Sequence, residues 1–202
     1  MPKAFWRELV FNYSEDVYEP LEDSYLMADA LEAEMKRRTF KSILDMGTGC
    51  GFLAIIAKFL SPASAVVAVD KSYEAIEIAQ ENARRNGMDI DFEVSDLFQF
   101  VTGKYDLIIF NPPYLRPIKE DVKAKNSGMW ADTGVIQRFL ISARRYLKPD
   151  GIILLLLSSL SDPAILEAAR KHWKIRMLAK KDLDFEQIFV FELSPISTFK
   201  VV

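Results

Sequence analysis

Four short segments hold the residues that could do chemistry: Asp45-Met46-Gly47-Thr48-Gly49-Cys50-Gly51, Asp70, Ser95-Asp96-Leu97 and Asn111-Pro112-Pro113-Tyr114. Each follows a short apolar run. In an open parallel sheet they would emerge at the carboxyl ends of strands, where such sheets bind ligands. The tetrapeptide is the most specific of the four. Two consecutive prolines stiffen the backbone and remove two N–H donors. The Asn111 side-chain oxygen and the Pro112 carbonyl can then accept both hydrogens of a planar –NH₂ group, and Tyr114 can stack on its plane. Holding those hydrogens aims the nitrogen lone pair at a neighbouring electrophile. The structural alternative is a rigid turn with an incidental aromatic.

The other three segments describe a ligand that could supply the electrophile. A dinucleotide fingerprint needs glycines spaced G-x-G-x-x-G. Here the third glycine comes one position early, at Gly51, and Phe52 occupies its slot. Gly47 and Gly49 still allow close approach to the backbone, and the helix that follows offers free N–H groups. Asp45, just before them, suits a cation better than a pyrophosphate. S-adenosylmethionine carries an ammonium and a sulfonium and no phosphate. Asp70 follows the glycines by about twenty residues, the spacing at which a strand-end carboxylate accepts ribose hydroxyls. Asp96 can accept from an adenine amino group while the Leu97 N–H donates to the ring. Each feature has a structural alternative as an ordinary turn or strand end. Their recurrence at three successive strand ends favours the ligand. Methyl transfer is an in-line displacement, so the site works by positioning. Two acceptors polarising the amide also help in the transition state. No histidine base is needed, because the proton can leave after the transfer.

Composition excludes other chemistries. The chain has 202 residues, 50% of them hydrophobic, and a net charge of -3. One domain, 1–202, is expected, with no electrostatic pull toward nucleic acid. Lys36-Arg37-Arg38 and Arg170-Lys171 read as solvated helix ends. The single cysteine, Cys50, and single histidine, His172, rule out two-histidine and multi-cysteine zinc sites, and no metal is expected. His172 lies on a charged helix pattern and reads as a surface residue. A lone cysteine fits a reducing compartment. The longest apolar run, Ile152 to Leu157, is too short to span a bilayer, and the N-terminus lacks a signal-peptide layout. A cytoplasmic protein without membrane attachment is expected.

Short β-rich apolar runs alternate with amphipathic stretches, the pattern of a mostly parallel α/β sheet. Residues 1–20 read as irregular and aromatic-rich. Helices are expected from Glu22 to Arg37, Phe52 to Leu60, Ser72 to Asn86, Val135 to Leu147 and after Asp162-Pro163. Strands are expected at Ser42–Asp45, Ala65–Val69, Asp91–Val94, Leu107–Phe110 and Ile152–Leu157. Pro149-Asp150-Gly151 reads as a turn. Ile175–Leu178 and Gln187–Leu193 read as a terminal hairpin.

These residues resemble the HemK-related class I methyltransferases, in particular the archaeal and eukaryotic type that modifies class I release factors. The similarity covers nearly the whole chain. Asp16-Val17-Tyr18-Glu19-Pro20-Leu21-Glu22-Asp23-Ser24 looks like that subgroup's N-terminal signature. The segment Asp45 to Gly51 looks like its cofactor loop, and Asn111 to Tyr114 like its catalytic tetrapeptide. Glu186 to Phe191 is similar to its last strand. The resemblance implies a Rossmann-like seven-stranded, mostly parallel sheet with an antiparallel last strand and helices on both faces. The N-terminal segment and helix, 1–40, would cover the cofactor site. S-adenosylmethionine would touch Ser24, Asp45, Gly47, Gly49, Asp70, Asp96, Leu97 and Asn111, with Asn111, Pro112 and Tyr114 catalytic. The implied substrate is the glutamine side-chain amide of a Gly-Gly-Gln loop in a peptide release factor. A small zinc-containing activator subunit would pair near Ile90–Val94, where an apolar edge strand can accept another.

One segment departs from the family pattern. Trp130-Ala131-Asp132-Thr133-Gly134 stands where the family commonly has Trp-Ala-Gly-Gly. It would border the substrate entrance, so it bears on substrate identity. Two further functions are open: N-methylation of exocyclic amino groups of RNA or DNA bases, and a non-catalytic cofactor-binding scaffold. The acidic balance and absence of an added nucleic-acid module count against the first. An intact Asn111 and Tyr114 count against the second.

Overall fold

The computed structural model describes residues 1–114 and 133–196. In chain order the elements are β1 (Lys3–Trp6), β2 (Leu9–Asn12), α1 (Glu22–Arg37), β3 (Ser42–Met46), α2 (Phe52–Leu60), β4 (Ala65–Asp70), α3 (Tyr73–Arg85), β5 (Asp91–Val94) and β6 (Tyr105–Phe110). They continue with α4 (Thr133–Ala143), a 3-10 turn (Arg144–Tyr146), β7 (Leu147–Ser158), α5 (Pro163–Ala169), β8 (Trp173–Asp182) and β9 (Gln187–Pro195).

Apolar residues run consecutively along the central strands because both sheet faces are covered. Successive side chains point to opposite faces. Ile43, Leu107, Ile109 and Leu154 enter the core beneath α1 and α2, while Leu44, Ile108, Ile153 and Leu155 pack with Phe139 of α4 and Ile165 of α5. The seven-stranded sheet has the order β5-β4-β3-β6-β7-β9-β8. β3, β4, β5, β6 and β7 are parallel. The last strand, β9, runs antiparallel to both β7 and β8, as the resemblance implies. The order reverses between β3 and β6, paired through Met46 and Phe110. A crevice therefore opens where Asp45 and Asn111 leave the sheet.

Four expectations need correction. Residues 1–20 are not wholly irregular: β1 and β2 form an antiparallel hairpin. Its tight turn places Arg7 at φ 52 without a glycine to signal it. Asn82 of α3 and Asn86, the helix's C-cap one turn further on, hold this hairpin. Asn82 Oδ1 accepts from the Asn12 N–H and its Nδ2 donates to the Asn12 carbonyl, both at 2.9 Å. Asn86 pairs in the same way with Val10. Each amide stands in for a neighbouring strand and satisfies buried backbone.

Pro149-Asp150-Gly151 lies within β7 rather than in a turn before it, at an irregularity where the register with β6 shifts. A Cβ on Gly151 would lie 2.8 Å from the Tyr105 carbonyl oxygen. Glycine is needed there for close backbone approach. Helix α4 spans Thr133–Ala143 rather than 135–147. His172 sits past the end of α5, exposed in the turn before β8.

Other caps follow the expected chemistry. Ser72 Oγ accepts from the Ala75 N–H, and Asp162 caps α5 with Pro163 in its first turn. Helix α1 is tied to the terminal hairpin by buried Glu34, which pairs with Arg38 and Arg176, and both arginines also reach Glu192.

Candidate active site

A cavity of about 430 Å³ opens at the carboxyl ends of β3, β4, β5 and β6. Pockets for small ligands usually measure ~300–1,000 Å³. Ser24, Asp45, Gly47, Gly49, Asp70, Asp96, Leu97, Asn111, Pro112 and Tyr114 all line it. The structure thus brings together the residues expected to bind the cofactor or act in catalysis. Residues 130–132 of the departing Trp-Ala-Asp segment lie outside the described residues.

On the β3–β4 side, polar groups are largely tied to one another. Asp45 is buried, and its Oδ2 accepts from Thr48 Oγ1 at 2.6 Å and from the Ala54 N–H of α2 at 3.1 Å. Burial pushes its carboxyl up to about 7. The Thr48 and Ala54 donors pull the other way, and the Asp70 charge adds to the rise. Gly47, Gly49 and Gly51 all adopt positive φ, which lets the loop fold under Asp45 into α2. Asp70 Oδ2 accepts from the Gly49 N–H and Oδ1 from the Ser72 N–H, both at 2.9 Å. Each oxygen keeps a lone pair for a ligand. Burial pushes the Cys50 thiol up to about 12, so it is a packing group and not a nucleophile.

The β5 exit is more open. Ser95 is buried and bonds the Leu97 carbonyl and the Phe100 N–H, fixing a turn in which Leu97 takes φ 52. Asp96 faces Arg138 of α4 at 3.4 Å, both side chains about half exposed.

The β6 side differs in character. Asn111 Nδ2 donates to Asp23 Oδ2 at 3.0 Å and lies 3.5 Å from Ser24 Oγ. Tyr114 OH donates to the same Asp23 oxygen at 3.4 Å. Asp23 Oδ1 accepts from the Ser24 N–H at 2.6 Å. Burial, then the Asp23 charge, pushes the phenols of Tyr18 and Tyr114 well above their ordinary value. The Asn111 side-chain oxygen, Oδ1, is buried and has no hydrogen-bond partner among the described residues. Such an atom is costly unless something completes it.

Sequence analysis places Asp23 in the N-terminal signature but gives it no role at this site. Only the crossing of α1 over the end of β6 reveals its contact with Asn111.

The doubly wound sheet, the switch-point cavity and the glycine loop without a phosphate fingerprint define a class I, Rossmann-like methyltransferase. The chain belongs to the methyltransferase small domain family, whose model matches residues 22–181. It is 37% identical over 183 residues to a Methanocaldococcus jannaschii protein named as a candidate protein N5-glutamine methyltransferase, covering 87% of this chain and 90% of that one. It is 33% identical over 141 residues to the release factor glutamine methyltransferase of Streptococcus pneumoniae, covering 65% of this chain and 50% of that longer protein. In structure it is similar to a chain of the E. cuniculi Mtq2-Trm112 complex, described as responsible for methylation of the eRF1 translation termination factor. The TM-score there is 0.67 at 24% identity, covering 90% of this chain and 99% of that one. Among the described residues, no helix is long and apolar enough to cross a membrane.

Proposed function

We propose that this chain is a protein-glutamine N-methyltransferase that uses S-adenosylmethionine to methylate the Gly-Gly-Gln glutamine of a class I peptide release factor. The observation that carries this reading is Asn111 Oδ1, a buried acceptor on the wall of the cavity without a partner among the described residues. A planar –NH₂ would complete it. The names of the Methanocaldococcus and Streptococcus relatives favour glutamine over a nucleobase. Strong, salt-dependent RNA binding would revive the nucleobase.

The residues present fit the cofactor. Asp70 would take the ribose hydroxyls on its remaining lone pairs, and Asp96 with the Leu97 N–H would take adenine. Asp45, Gly47, Gly49 and Ser24 would line the amino-acid end, where an ammonium would favour the ionised form of Asp45. The cofactor supplies an electrophilic methyl on a sulfonium. Asn111 Oδ1 and the Pro112 carbonyl each accept one hydrogen of the substrate amide, turning the nitrogen lone pair toward that methyl. Tyr114 packs against the amide plane. The surplus proton passes to water after transfer.

We read 1–202 as one domain, with the N-terminal segment 1–40 covering the cofactor. Asp16, Tyr18, Pro20 and Asp23 on the cavity wall support that reading. The zinc-containing activator would add to β5. Among the described residues that strand pairs only with β4, and it has half-buried Phe92 and Val94. The reaction belongs in the cytoplasm, where release factors work.

The test is incubation of the purified chain, with its activator subunit, with release factor and methyl-labelled cofactor. Label on the glutamine amide is expected. Label confined to RNA, or none on the factor, rejects the proposal.

A further inference from the structure

We infer that Asp23 is a positioning residue that fixes the orientation of the Asn111 carboxamide. The inference rests on the proposed function for its catalytic consequence, but its geometry stands alone. Asp23 is 3% exposed, and each of its oxygens has a defined task. Oδ1 accepts from the Ser24 N–H in the first turn of α1. Oδ2 accepts from Asn111 Nδ2 and from Tyr114 OH.

Asn111 Nδ2 donates to Asp23 Oδ2 at 3.0 Å, and a carboxylate oxygen accepts, so the –NH₂ is the end of the Asn111 amide that meets Asp23. The amide oxygen is thereby turned to the opposite side, where it is buried without a partner among the described residues. A flipped amide would set its oxygen against the buried carboxylate, acceptor against acceptor. It would also present a donor where the substrate –NH₂ brings only hydrogens. The hydroxyl of Ser24 cannot make this choice, because it both donates and accepts. Asp23 therefore holds the reacting pocket in its acceptor state and confines it to ligands that bring hydrogens, such as a primary amide. Tyr114, on the same oxygen, is held in register with Asn111.

The test uses the full chain with Asp23→Ala and Asp23→Asn, each alone and combined with Asn111→Ala. Two readouts are taken. The first is solvent exchange of the Asn111 side-chain –NH₂ by ¹⁵N NMR, without substrate. It should be slow in the parent chain and ~10-fold faster or more in Asp23→Ala, because a buried charge-assisted bond is lost. Asp23→Asn keeps the shape and one acceptor and should give an intermediate rate. The second is a double-mutant cycle on kcat. Asp23→Ala should cost ~10–100-fold in the parent background and under ~3-fold beside Asn111→Ala, since residues acting as one unit are not additive. Cofactor Kd should change by less than ~3-fold in both backgrounds. If Asp23→Ala does not fold, Asp23→Asn carries both readouts. Exchange unchanged in the variants, or an equal kcat penalty with and without Asn111, overturns the inference. A chain that shows the exchange effect but methylates no glutamine keeps Asp23 in its role and rejects only the proposed function.

Discussion

The two walls of the cavity handle their polar groups in opposite ways. On the β3–β4 wall, Asp45 and Asp70 accept from Thr48, Ala54, Gly49 and Ser72, so the carboxylates that face the ligand also hold the loops in shape. On the β6 wall, Asn111 spends its –NH₂ on Asp23 and leaves its oxygen bare. The first wall is built to exist without a ligand, and a ligand adds to bonds already made. The second is built at a cost that only a donor can offset. This contrast separates binding from chemistry. The wall whose bonds are closed should govern stability and cofactor affinity, and the wall with an open acceptor should govern rate.

The sharpest way to break this contrast is Asn111→Ala. It should lower kcat by ~10²–10³-fold, the usual cost of one preorganised hydrogen-bonding group in an active site. Single-turnover methyl transfer measures the rate. Cofactor affinity by calorimetry should move by under ~3-fold, because the group acts on the transition state. A comparable loss of cofactor affinity would erase the distinction between the walls.

Asp70→Ala should behave in the opposite way. It strips the Gly49 and Ser72 N–H groups of their acceptor, so the free energy of unfolding in urea should fall by ~1–3 kcal/mol. Cofactor Kd should rise by ~10-fold or more for the lost ribose bonds.

The smallest effect is a pH dependence. Asp45 titrates at about 7 in the folded chain against an ordinary 3.8. Between those values the folded chain binds more protons than the unfolded one. Stability should therefore decline as pH rises toward 7, and the last part of that decline, between roughly pH 6 and 8, should amount to ~1 kcal/mol. Cofactor binding should tighten over the same range if an ammonium sits beside the ionised carboxyl. Asp45→Asn should flatten both profiles in urea melts and calorimetry, and Asn111→Ala should leave them in place.

The β3–β4 wall was legible in the sequence because it is local. A glycine loop, a strand-end aspartate and a helix start sit within one βαβ unit, and spacing alone brings them together. The partners of Asp45 lie within nine residues of it. The β6 wall was only half legible. The tetrapeptide announces itself by composition, but its anchor Asp23 is 88 residues away from Asn111, and no pattern links them. The N-terminal hairpin was missed for a different reason. Its turn has no glycine or asparagine, and the tertiary structure pays for the positive φ at Arg7. The burial alternates, with Ala4, Trp6, Leu9 and Phe11 inside against Phe5 and Val10, but both runs are apolar throughout and show no period-two pattern in the sequence. The strand through Pro149-Asp150-Gly151 was hidden because turn chemistry also serves a bulge, where Gly151 gives room to the Tyr105 carbonyl.

The most direct measurement is a crystal structure with S-adenosylhomocysteine and a peptide carrying the Gly-Gly-Gln sequence. The glutamine nitrogen should lie within about 3.2 Å of Asn111 Oδ1, with the cofactor product against Asp70. A glutamine bound elsewhere, or an Asn111 oxygen still without a partner beside a bound peptide, would contradict the account.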